Sequence, residues 1–436
     1  MSLNIGIDAT CWNNRRGYGR HARSLLSALV TLDRDNRYTF VLDGEPPKEQ
    51  LPVNATIHSV STSLPTTLAA SADGHRSLRD MWKMSRALSN PQFDLVFFPT
   101  VYSYVPVFTR ARKLVMIHDA IAETYPQLTT PKRLARAFWK MKVKAGQLQA
   151  DALTTVSEYS RRELVKCLRV SADRVHVVGE ASDPVFRCLP NPTPTRRLAS
   201  FGIRFDRPVL VFVGGFSPHK NLPILLDVVS ELALRKGLTE LQLVMVGDHQ
   251  NEVFHSHFRE LREHARRLGI QDRVIFTGYL PDEEVVVLLN LATVLVLPSL
   301  MEGFGLPAFE AAACGCPVIA TKASPVPELL GDGGRYIEPT DSAALESTLR
   351  LILESPELRT KMRAAALAAS ARLTWDAAAR QLLDVMQSLA GAPLGAQASC
   401  LPVPTAGSLV KAEQAGRIPA LPGKGHRSPK RALENL

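Results

Sequence analysis

The sequence predicts an α/β protein built from two doubly wound domains, each with a parallel sheet. Short apolar runs typical of buried strands alternate with longer helical patterns, and this alternation occurs twice along the 436 residues. A proline-rich stretch at residues 190–194 separates the two series. A chain of this length with 45% hydrophobic residues can form two separate cores.

The apolar runs give the expected strands and, from them, the domain organisation. We expect a first domain over residues 1–189, a linker over 190–207 and a second domain over 208–375. In both domains the carboxyl ends of the strands should border one cleft. The expected strands cover residues 1–8, 38–42, 94–98, 113–117, 152–156 and 175–178, then 208–213, 241–246, 273–276, 294–297 and 317–320.

Composition favours a cytoplasmic protein. The first residues lack the charged start and long apolar run of a signal peptide, and no apolar stretch approaches the roughly 18 residues of a membrane helix. The six cysteines have no paired CxxC spacing, which predicts reduced thiols, with Cys314 and Cys316 used in packing. Asp33 and Asp35 resemble a metal-binding Asp-x-Asp but should form a solvated turn. No metal site or cofactor is expected.

A basic helix is predicted in the first half, which holds most of the net charge of +10, with 26 basic against 17 acidic residues up to Leu189. Two interpretations stay open for residues 132–144. The helix lies on anionic lipid with Trp139 at the interface, or a solvated basic face covers an ordinary core stripe. Nucleic acid is not predicted, because no binding motif accompanies the charge. The basic residues are Lys132, Arg136, Lys140 and Lys144, and the apolar residues on another face are Leu134, Phe138 and Met141.

The most informative segment is Glu302-Gly-Phe-Gly-Leu-Pro-Ala-Phe-Glu310, which follows the strand at 294–297. Gly303 and Gly305 let the backbone approach a ligand, and the helix that follows offers unpaired amides and a positive dipole end to phosphate. Glu302 and Glu310 can meet different parts of one ligand, since carboxylates accept hydrogen bonds from hydroxyl-rich sugars and riboses. For an isolated pair of glutamates, a helix cap and a solvated residue would be the simpler interpretation.

Three further loops follow predicted strands. Gly214 and Gly215 turn the chain towards Lys220, which can neutralise a diphosphate. Gly17 and Gly19 form a glycine turn before a helix, but without the dinucleotide fingerprint that would indicate NAD. His118 ends the strand at 113–117, where a side chain can project into the cleft.

Together these residues resemble the retaining glycosyltransferases of the group 1 type, family GT4, over roughly residues 1–390. The most specific part is residues 299–320, which contains both glutamates. The resemblance implies the GT-B arrangement, two Rossmann-like domains that face each other across a cleft. It also implies a helix over 376–390 that crosses back to the first domain. The segment 391–436, rich in Pro, Gly, Ala and Ser, is predicted to be disordered.

The resemblance also implies roles for individual residues. Glu302 would hold hydroxyls of the donor sugar, Lys220 would stabilise the departing diphosphate, and His118 would contact the sugar near its 6-hydroxyl. Glu310 would hold the nucleotide ribose. The further donor-binding residues would be Gly17, Gly19, Gly215, Thr277, Gly278, Phe304, Gly305 and Leu306.

The donor implied is a GDP- or UDP-linked sugar used as substrate. Many relatives carry an arginine in the loop before the phosphate lysine, whereas this chain has Gly214 and Gly215 and then His219. Diphosphate neutralisation would therefore rest on fewer charges. The sequence Pro218-His-Lys-Asn221 nearly matches the Pro-Arg-Lys-Asn of mannosyl- and other hexosyltransferases of surface polysaccharide assembly, which favours mannose.

We therefore expect a retaining hexosyltransferase that acts on a lipid-linked or polysaccharide acceptor in cell-surface glycan synthesis. The enzyme would be cytoplasmic, with possible peripheral contact at the inner membrane face. Two alternatives stay open. A sugar-nucleotide epimerase on the same fold would convert a nucleotide sugar with no acceptor, and a non-catalytic subunit would bind the nucleotide sugar without turnover.

Overall fold

A computed structural model describes residues 2–14, 17–44, 51–64, 77–235, 237–248 and 256–391. The segment beyond Gly391, for which the sequence predicts disorder, lies outside these residues.

The first half of the chain forms a parallel sheet of seven strands within the described residues, in the order β3-β2-β1-β4-β5-β6-β7. Helices connect the strands and cover both faces. The strands are β1 (Asn4–Asp8), β2 (Arg37–Leu42), β3 (Ala55–Ser59), β4 (Leu95–Phe98), β5 (Arg112–Met116), β6 (Ala152–Thr155) and β7 (Val175–Val177). The helices are α1 (Gly17–Leu32), α2 (Leu78–Leu88), α3 (Ile121–Thr124), α4 (Pro126–Thr129), α5 (Arg133–Gln149) and α6 (Glu158–Leu168).

The second half repeats the design with a parallel sheet whose six described strands follow the order β10-β9-β8-β11-β12-β13. The strands are β8 (Val209–Val213), β9 (Gln242–Val246), β10 (Val274–Gly278), β11 (Val294–Leu297), β12 (Val318–Thr321) and β13 (Gly334–Ile337). The helices are α7 (Arg196–Ser200), α8 (Leu222–Ala233), α9 (Phe258–Arg267), α10 (Asp282–Leu291), α11 (Leu306–Ala313), α12 (Val326–Leu330), α13 (Ser342–Glu354), α14 (Pro356–Ser370) and α15 (Trp375–Gly391).

The strand orders locate the ligand-binding edges. In each sheet the order reverses once, between β1 and β4 in the first sheet and between β8 and β11 in the second. Chains leaving two neighbouring strands on opposite sides open a crevice at such a reversal. The loop with Lys220 follows β8 and the loop with Glu302 follows β11, so both border the crevice of the second sheet.

The two-sheet α/β architecture confirms the predicted fold class, and two strands were missed. Every predicted strand is present within one or two residues of its expected bounds, except that β1 begins at Asn4, three residues later than predicted. β3 is an edge strand with mostly exposed side chains and therefore lacks an apolar signal. β13 has only four residues and begins at Gly334, directly after a 3-10 turn.

The linker prediction differs from the structure. Within the expected linker, residues 196–200 form α7, and Leu198 and Ile203 are buried in the core of the second sheet. The prolines at residues 190–194 predict a linker, and this signal hid the short helix that follows them. Leu198 of α7 and Ile203 just after it are the buried residues that hold this segment on the core. The packed second half therefore begins earlier than the predicted boundary.

Among the C-terminal helices, α15 crosses back to the first sheet. It packs against α1, and Leu382 and Met386 are fully buried in the core of the first sheet. This confirms the predicted crossing helix. The resemblance also implies that the whole helical segment 356–389 crosses, but this is wrong for α14, which packs against α11 and whose Met362 and Ala366 belong to the second core. The reason is that α14 carries its own apolar face for the second sheet.

The glycine turn of the first half is also different from the expected loop. Gly17 and Gly19 lie in the first turn of α1. A side chain at Gly19 would place its Cβ 2.1 Å from the carbonyl oxygen of Asn14, so the preceding chain packs directly on the helix here. Gly19 therefore permits a close backbone approach and does not form a separate flexible loop.

Candidate active site

The crevice of the second sheet holds a partly buried cation–carboxylate pair. Lys220 Nζ lies 2.8 Å from Glu302 Oε1, and Ser299 Oγ donates to the same oxygen at 2.5 Å. Burial raises the pKa of Glu302, but the charge of Lys220 and the hydrogen bonds from Lys220 and Ser299 outweigh this effect. The pKa of Glu302 therefore lies below its usual value, and the carboxylate is ionised at neutral pH.

The glycine turn after Glu302 is pressed against the first sheet. Ser157 and Ser160, at the start of α6, donate to the carbonyl oxygen of Gly303 at 2.7 and 2.9 Å. A Cβ on Gly303 would lie 2.7 Å from that of Asp119. Gly305 has φ +82°, which favours glycine, and α11 begins at the next residue. Glycine is therefore needed here for both close contact and backbone conformation.

Glu310 lies one turn into α11 and is paired across the cleft. Arg20 Nη2, from α1 of the first half, lies 2.7 Å from Glu310 Oε1 and 3.3 Å from Asp282 Oδ2. The Glu310 side chain is 2% exposed and that of Arg20 is 25% exposed. Burial raises the pKa of Glu310 to about 7, a rise that Asp282 and Asp183 reinforce and Arg20 opposes. The pKa values of Glu302 and Glu310 are thus shifted in opposite directions.

His118 belongs to a buried cluster with His21 and Glu180. His118 Nε2 donates to the carbonyl oxygen of Pro99 at 2.9 Å, and its Nδ1 lies 3.7 Å from Glu180 Oε1. His21 Nδ1 lies 2.8 Å from the same oxygen, and the two histidine rings meet edge to face. The pKa of Glu180 is lowered to about 2, because the histidine charges and hydrogen bonds outweigh burial, which by itself raises it.

The donor atoms of this cluster lie within 4.8 Å of one another, a spacing that a metal ion could use. The same groups, however, also contact one another directly: His21 Nδ1 lies 2.8 Å from the Glu180 carboxylate, whereas His118 Nδ1, at 3.7 Å, lies beyond hydrogen-bond distance. Burial lowers the pKa of His21. His21 and Glu180 therefore pack against the ring of His118 on its Nδ1 side, while Nε2 donates to Pro99.

The remaining predicted donor-binding residues of the second half lie at the ends of strands of its sheet or beside the start of α11. Gly215 follows β8, and a Cβ there would meet nothing within 4 Å. Thr277 and Gly278 end β10, and Thr277 is buried. Phe304 packs its ring on Phe309, at 4.6 Å between centroids, so its side chain serves the core. Leu306 is the first residue of α11.

His219 does not supply the charge that the loop lacks. Burial, followed by the neighbouring Lys220, lowers the pKa of His219 to about 3. The imidazole is therefore neutral at physiological pH, and among the described residues of the loop 214–221 the positive charge comes from Lys220 alone.

The basic helix is α5, and four of its apolar side chains are turned to solvent. Leu134, Phe138, Met141 and Leu148 are 71, 57, 60 and 71% exposed. Leu134, Phe138 and Met141 therefore do not form the predicted stripe over the core, which α5 contacts through Val143 instead. Trp139, which we expected at a lipid interface, instead packs on Tyr102 and donates from Nε1 to Glu123 at 2.8 Å. The inner face of α5 carries the tryptophan because Glu123 and Tyr102 provide a polar and an aromatic partner for it.

Three smaller predictions can be assessed. Asp33 is buried, and Asn36 and Tyr38 donate to its carboxylate, so this turn is structural but is not solvated. Cys314 and Cys316 are buried in the second core, as expected for packing residues. Across the described part of the chain, the helices fall short of the length and apolarity required to cross a membrane.

The sequence missed the first-half contributions of Arg20, His21 and Glu180. Arg20 and His21 follow the Gly17–Gly19 turn directly, and this adjacency was the available signal. Glu180 follows β7 without any motif. Their roles depend on contacts with residues far along the chain, which no local pattern reports.

The arrangement suits a ligand that is both anionic and rich in hydroxyls. Carboxylates at Glu302 and Glu310 can accept hydrogen bonds from hydroxyl groups, and Lys220 and Arg20 can neutralise phosphate. The amino end of α11 adds backbone donors beside them. These groups come from both halves, so a bound molecule would touch both walls of the cleft.

Two family models match the chain. The model described as "Glycosyl transferases group 1" matches residues 196–368, and the model described as "Glycosyltransferase Family 4" matches residues 15–184. Between them they include every residue of the candidate site.

Individual proteins show the same similarity. The O-antigen chain mannosyltransferase B of Escherichia coli is 27% identical over 282 residues, which are 64% of this chain and 71% of that protein. A D-inositol 3-phosphate glycosyltransferase of Corynebacterium efficiens is 30% identical over 53% of this chain, and the match spans about half of the relative, at 55%. The solved structure of sucrose-phosphate synthase from Thermosynechococcus elongatus has a TM-score of 0.68 at 18% identity, over 89% of this chain and 99% of that one. This likeness shows the GT-B fold.

Proposed function

This chain belongs to the GT4 family of group 1 glycosyltransferases, and on this premise we propose that it transfers a hexose from a nucleotide sugar to a lipid-linked or polysaccharide acceptor. The observation that carries the proposal is the convergence of Lys220, Glu302 and Glu310 at the strand-order reversal of the second sheet. Mannose is favoured as the sugar and GDP or UDP as the nucleotide.

Each charged group has a task in this reaction. Lys220 stabilises the diphosphate as the bond between the anomeric carbon and the phosphate oxygen breaks. Glu302, ionised and fixed by Ser299, accepts hydrogen bonds from sugar hydroxyls. Glu310 accepts from the ribose. The acceptor oxygen attacks from the side that the nucleotide leaves, its proton passes to a leaving phosphate oxygen, and the anomeric configuration is retained.

His118 is proposed to contact the sugar near its 6-hydroxyl. In the structure its Nε2 donates to Pro99, so the ring must exchange that partner to donate to the sugar. His21 and Glu180 hold the opposite side of the ring and limit its rotation. We therefore assign His118 to orientation of the sugar and not to proton transfer.

The choice of mannose rests on two similarities. The chain is similar to the O-antigen chain mannosyltransferase B, and its Pro218-His-Lys-Asn221 loop nearly matches that of hexosyltransferases of surface polysaccharide assembly. An epimerase on the same fold would need no acceptor, and a non-catalytic subunit would need no Lys220 opposite Glu302. These differences make both alternatives testable in one assay.

The test incubates the full chain with a panel of GDP-, UDP- and ADP-sugars, with and without an extract of polyprenyl-linked oligosaccharides. Acceptor-dependent release of nucleoside diphosphate, with the product anomer assigned by NMR as that of the donor, is expected. Conversion of the sugar without acceptor would indicate an epimerase. The proposal fails if the protein binds a donor but releases no diphosphate under any condition.

We further propose that α5 brings the enzyme to an anionic bilayer. Its exposed apolar residues recur at helical spacing along one side, and the helix has no acidic residue in its sequence. Arg133, Lys140 and Lys144 are exposed beside this apolar stripe. Apolar insertion flanked by cations is the combination that holds a helix in the interface of an anionic membrane. This location would also bring a lipid-linked acceptor to the first half.

Flotation with liposomes tests this contact. The wild type should float with phosphatidylglycerol vesicles and much less with phosphatidylcholine vesicles. The double variant Leu134→Ser/Phe138→Ser should lose flotation, while Leu351→Ser, at a similarly exposed leucine of α13 in the second half, should retain it. Equal flotation of the double variant and the wild type would contradict membrane contact through α5.

A further inference from the structure

The contact between Arg20 and Glu310 poses a problem for donor binding. Glu310 is the carboxylate proposed to hold the ribose, yet Arg20 lies 2.7 Å from its Oε1. A ribose presents two neighbouring hydroxyls, which pair naturally with both oxygens of one carboxylate. A donor held through both oxygens must therefore take the position of the guanidinium at Oε1.

The surroundings of Arg20 show why a cation is placed here. Its guanidinium contacts Glu310 from α11 and Asp282 from α10, and it lies over the ring of Phe186 at 5.5 Å. Asp183 adds to the negative field around it. Arg20 is therefore the cation opposite three carboxylates, one of which is fully buried. Its own side chain is a quarter exposed, so it can change position without unfolding α1.

The loop 214–221, which is proposed to bind the diphosphate, carries too little positive charge for it. Lys220 is the cation of the loop 214–221, and it is paired with Glu302. His219, at the position next to it, is neutral. A diphosphate carries two negative charges in a nucleotide sugar. One lysine that is shared with a carboxylate cannot neutralise both of them. The ribose and the diphosphate are joined through a single carbon, which places the diphosphate within the reach of an arginine that starts at the ribose site.

We propose that Arg20 is a donor-binding residue that exchanges partners: it contacts Glu310 before the donor binds and contacts the diphosphate afterwards, while the ribose takes its place on Glu310. This inference rests on the proposed function, because it requires a nucleoside diphosphate sugar in the cleft. It adds a second phosphate cation, supplied by the first half of the chain. Donor binding is thereby coupled to the contact between the halves, since the exchange moves a charge that links α1 to α11.

A series of ligands with no, one or two phosphates separates the two parts of this exchange, binding of the ribose and binding of the diphosphate. Isothermal titration would compare guanosine, GMP and GDP, and in parallel uridine, UMP and UDP, with the wild type and Arg20→Met. Loss of a charged hydrogen-bond partner should weaken binding of the diphosphate about 10-fold or more. Binding of the nucleoside should stay the same or become tighter, because its ribose no longer competes with the guanidinium. Arg20→Lys should restore part of the diphosphate affinity.

Controls make each outcome decisive. Arg34→Met removes an exposed arginine just beyond the end of α1 and should leave all affinities unchanged. Arg20→Met/Glu310→Gln removes both charges and guards against misfolding from a buried unpaired carboxylate. The inference is overturned if Arg20→Met weakens nucleoside and diphosphate equally, which indicates a structural role, or leaves both unchanged.

Failure of the proposed function would look different. Glu310→Gln should weaken nucleoside binding, and if it does so while Arg20→Met has no effect, only the role of Arg20 fails. If the wild type binds neither nucleotide series, the donor site itself fails and the exchange fails with it.

Discussion

Glu302 and Glu310 lie eight residues apart, on either side of one glycine turn, yet their partners and their pKa values differ. Glu302 is paired inside its own half, with Lys220 and Ser299, and its pKa is lowered. Glu310 is paired across the cleft, with Arg20, and burial raises its pKa to about 7. The partner of Glu302 is therefore fixed by one folded sheet, whereas the partner of Glu310 depends on how the two halves meet.

The two pairs therefore differ in how far they are preorganised for the ligand. The Lys220–Glu302 pair stands at the strand-order reversal of the second sheet, and both of its residues belong to loops of that one sheet. The Arg20–Glu310 contact must respond to the ligand. We therefore expect variants of the first pair to affect chemistry most and variants of the second to affect donor affinity and its dependence on conditions.

The largest expected effect is on turnover by Lys220→Met. Because the lysine stabilises the charge that develops on the leaving diphosphate, kcat should fall about 100-fold or more. Steady-state release of nucleoside diphosphate measures it. Lys322→Met, at an exposed lysine of the same half, should keep wild-type kcat. A Lys220 variant with unchanged kcat and a raised KM would place the lysine in binding alone.

Next in size is the loss of donor affinity in Glu310→Gln. An amide keeps the shape of the side chain but removes the charged acceptor for the ribose, so the dissociation constant should rise about 10-fold. Glu302→Gln should instead lower kcat more than it changes affinity. Titration calorimetry and initial rates on both variants check this contrast. Identical kinetic profiles would remove the distinction between the two carboxylates.

The two glutamates should also give opposite pH dependence of stability. The raised pKa of Glu310 means that the folded protein keeps this proton up to about pH 7, whereas the unfolded chain loses it near the ordinary glutamate pKa of 4.5. The stabilisation is full below about pH 4.5 and is lost as the pH rises through 7. Relative to Glu310→Gln, the wild type should lose about 2 kcal/mol between pH 5 and pH 8.

For Glu302 the sign is reversed. Its folded pKa lies below 4.5, so its contribution is present above that pH and is lost as the pH falls through the folded value. Urea unfolding of both variants at a series of pH values measures the two slopes. Slopes of the same sign would show that the environments of Glu302 and Glu310 are alike.

The smallest expected effect concerns the contact that holds the glycine turn against the first half. Ser160→Ala removes one of two hydroxyls that donate to Gly303, and Ser157 still donates. The cost should be about 1 kcal/mol, or roughly fivefold in donor affinity, with little change in kcat. Calorimetry with the donor detects it. A loss as large as that of Glu310→Gln would mean that domain contact, and not the carboxylate, limits binding.

The same contrast explains which residues of the site could be predicted from the sequence. Lys220 and Glu302 could be predicted because each lies in a loop directly after an apolar strand, and strand ends in a parallel sheet meet at one edge. Their pairing was not predicted, but their proximity followed from the strand order. Arg20 could not be placed because its partner Glu310 comes from the other half, and Glu180 could not be placed because it follows β7 without a motif.

Hydrophobic patterns likewise predicted some features of the helices and strands and missed others. The helix α5 and its charged and apolar faces were evident from spacing, but spacing does not show which face meets the protein. The inner face is set by Trp139, whose ring and Nε1 find partners in Tyr102 and Glu123. The short or exposed strands β3 and β13 carry too few apolar residues to give a signal.

The most direct test of this account is the distance between Arg20 Nη2 and Glu310 Oε1 in a crystal structure of the protein with GDP or UDP bound. That distance is 2.7 Å in the structure described above. The account predicts that ribose hydroxyls contact Glu310, that Arg20 has moved to the diphosphate, and that Lys220 Nζ remains beside Glu302. A nucleotide bound with the Arg20–Glu310 contact intact and its ribose elsewhere would contradict it.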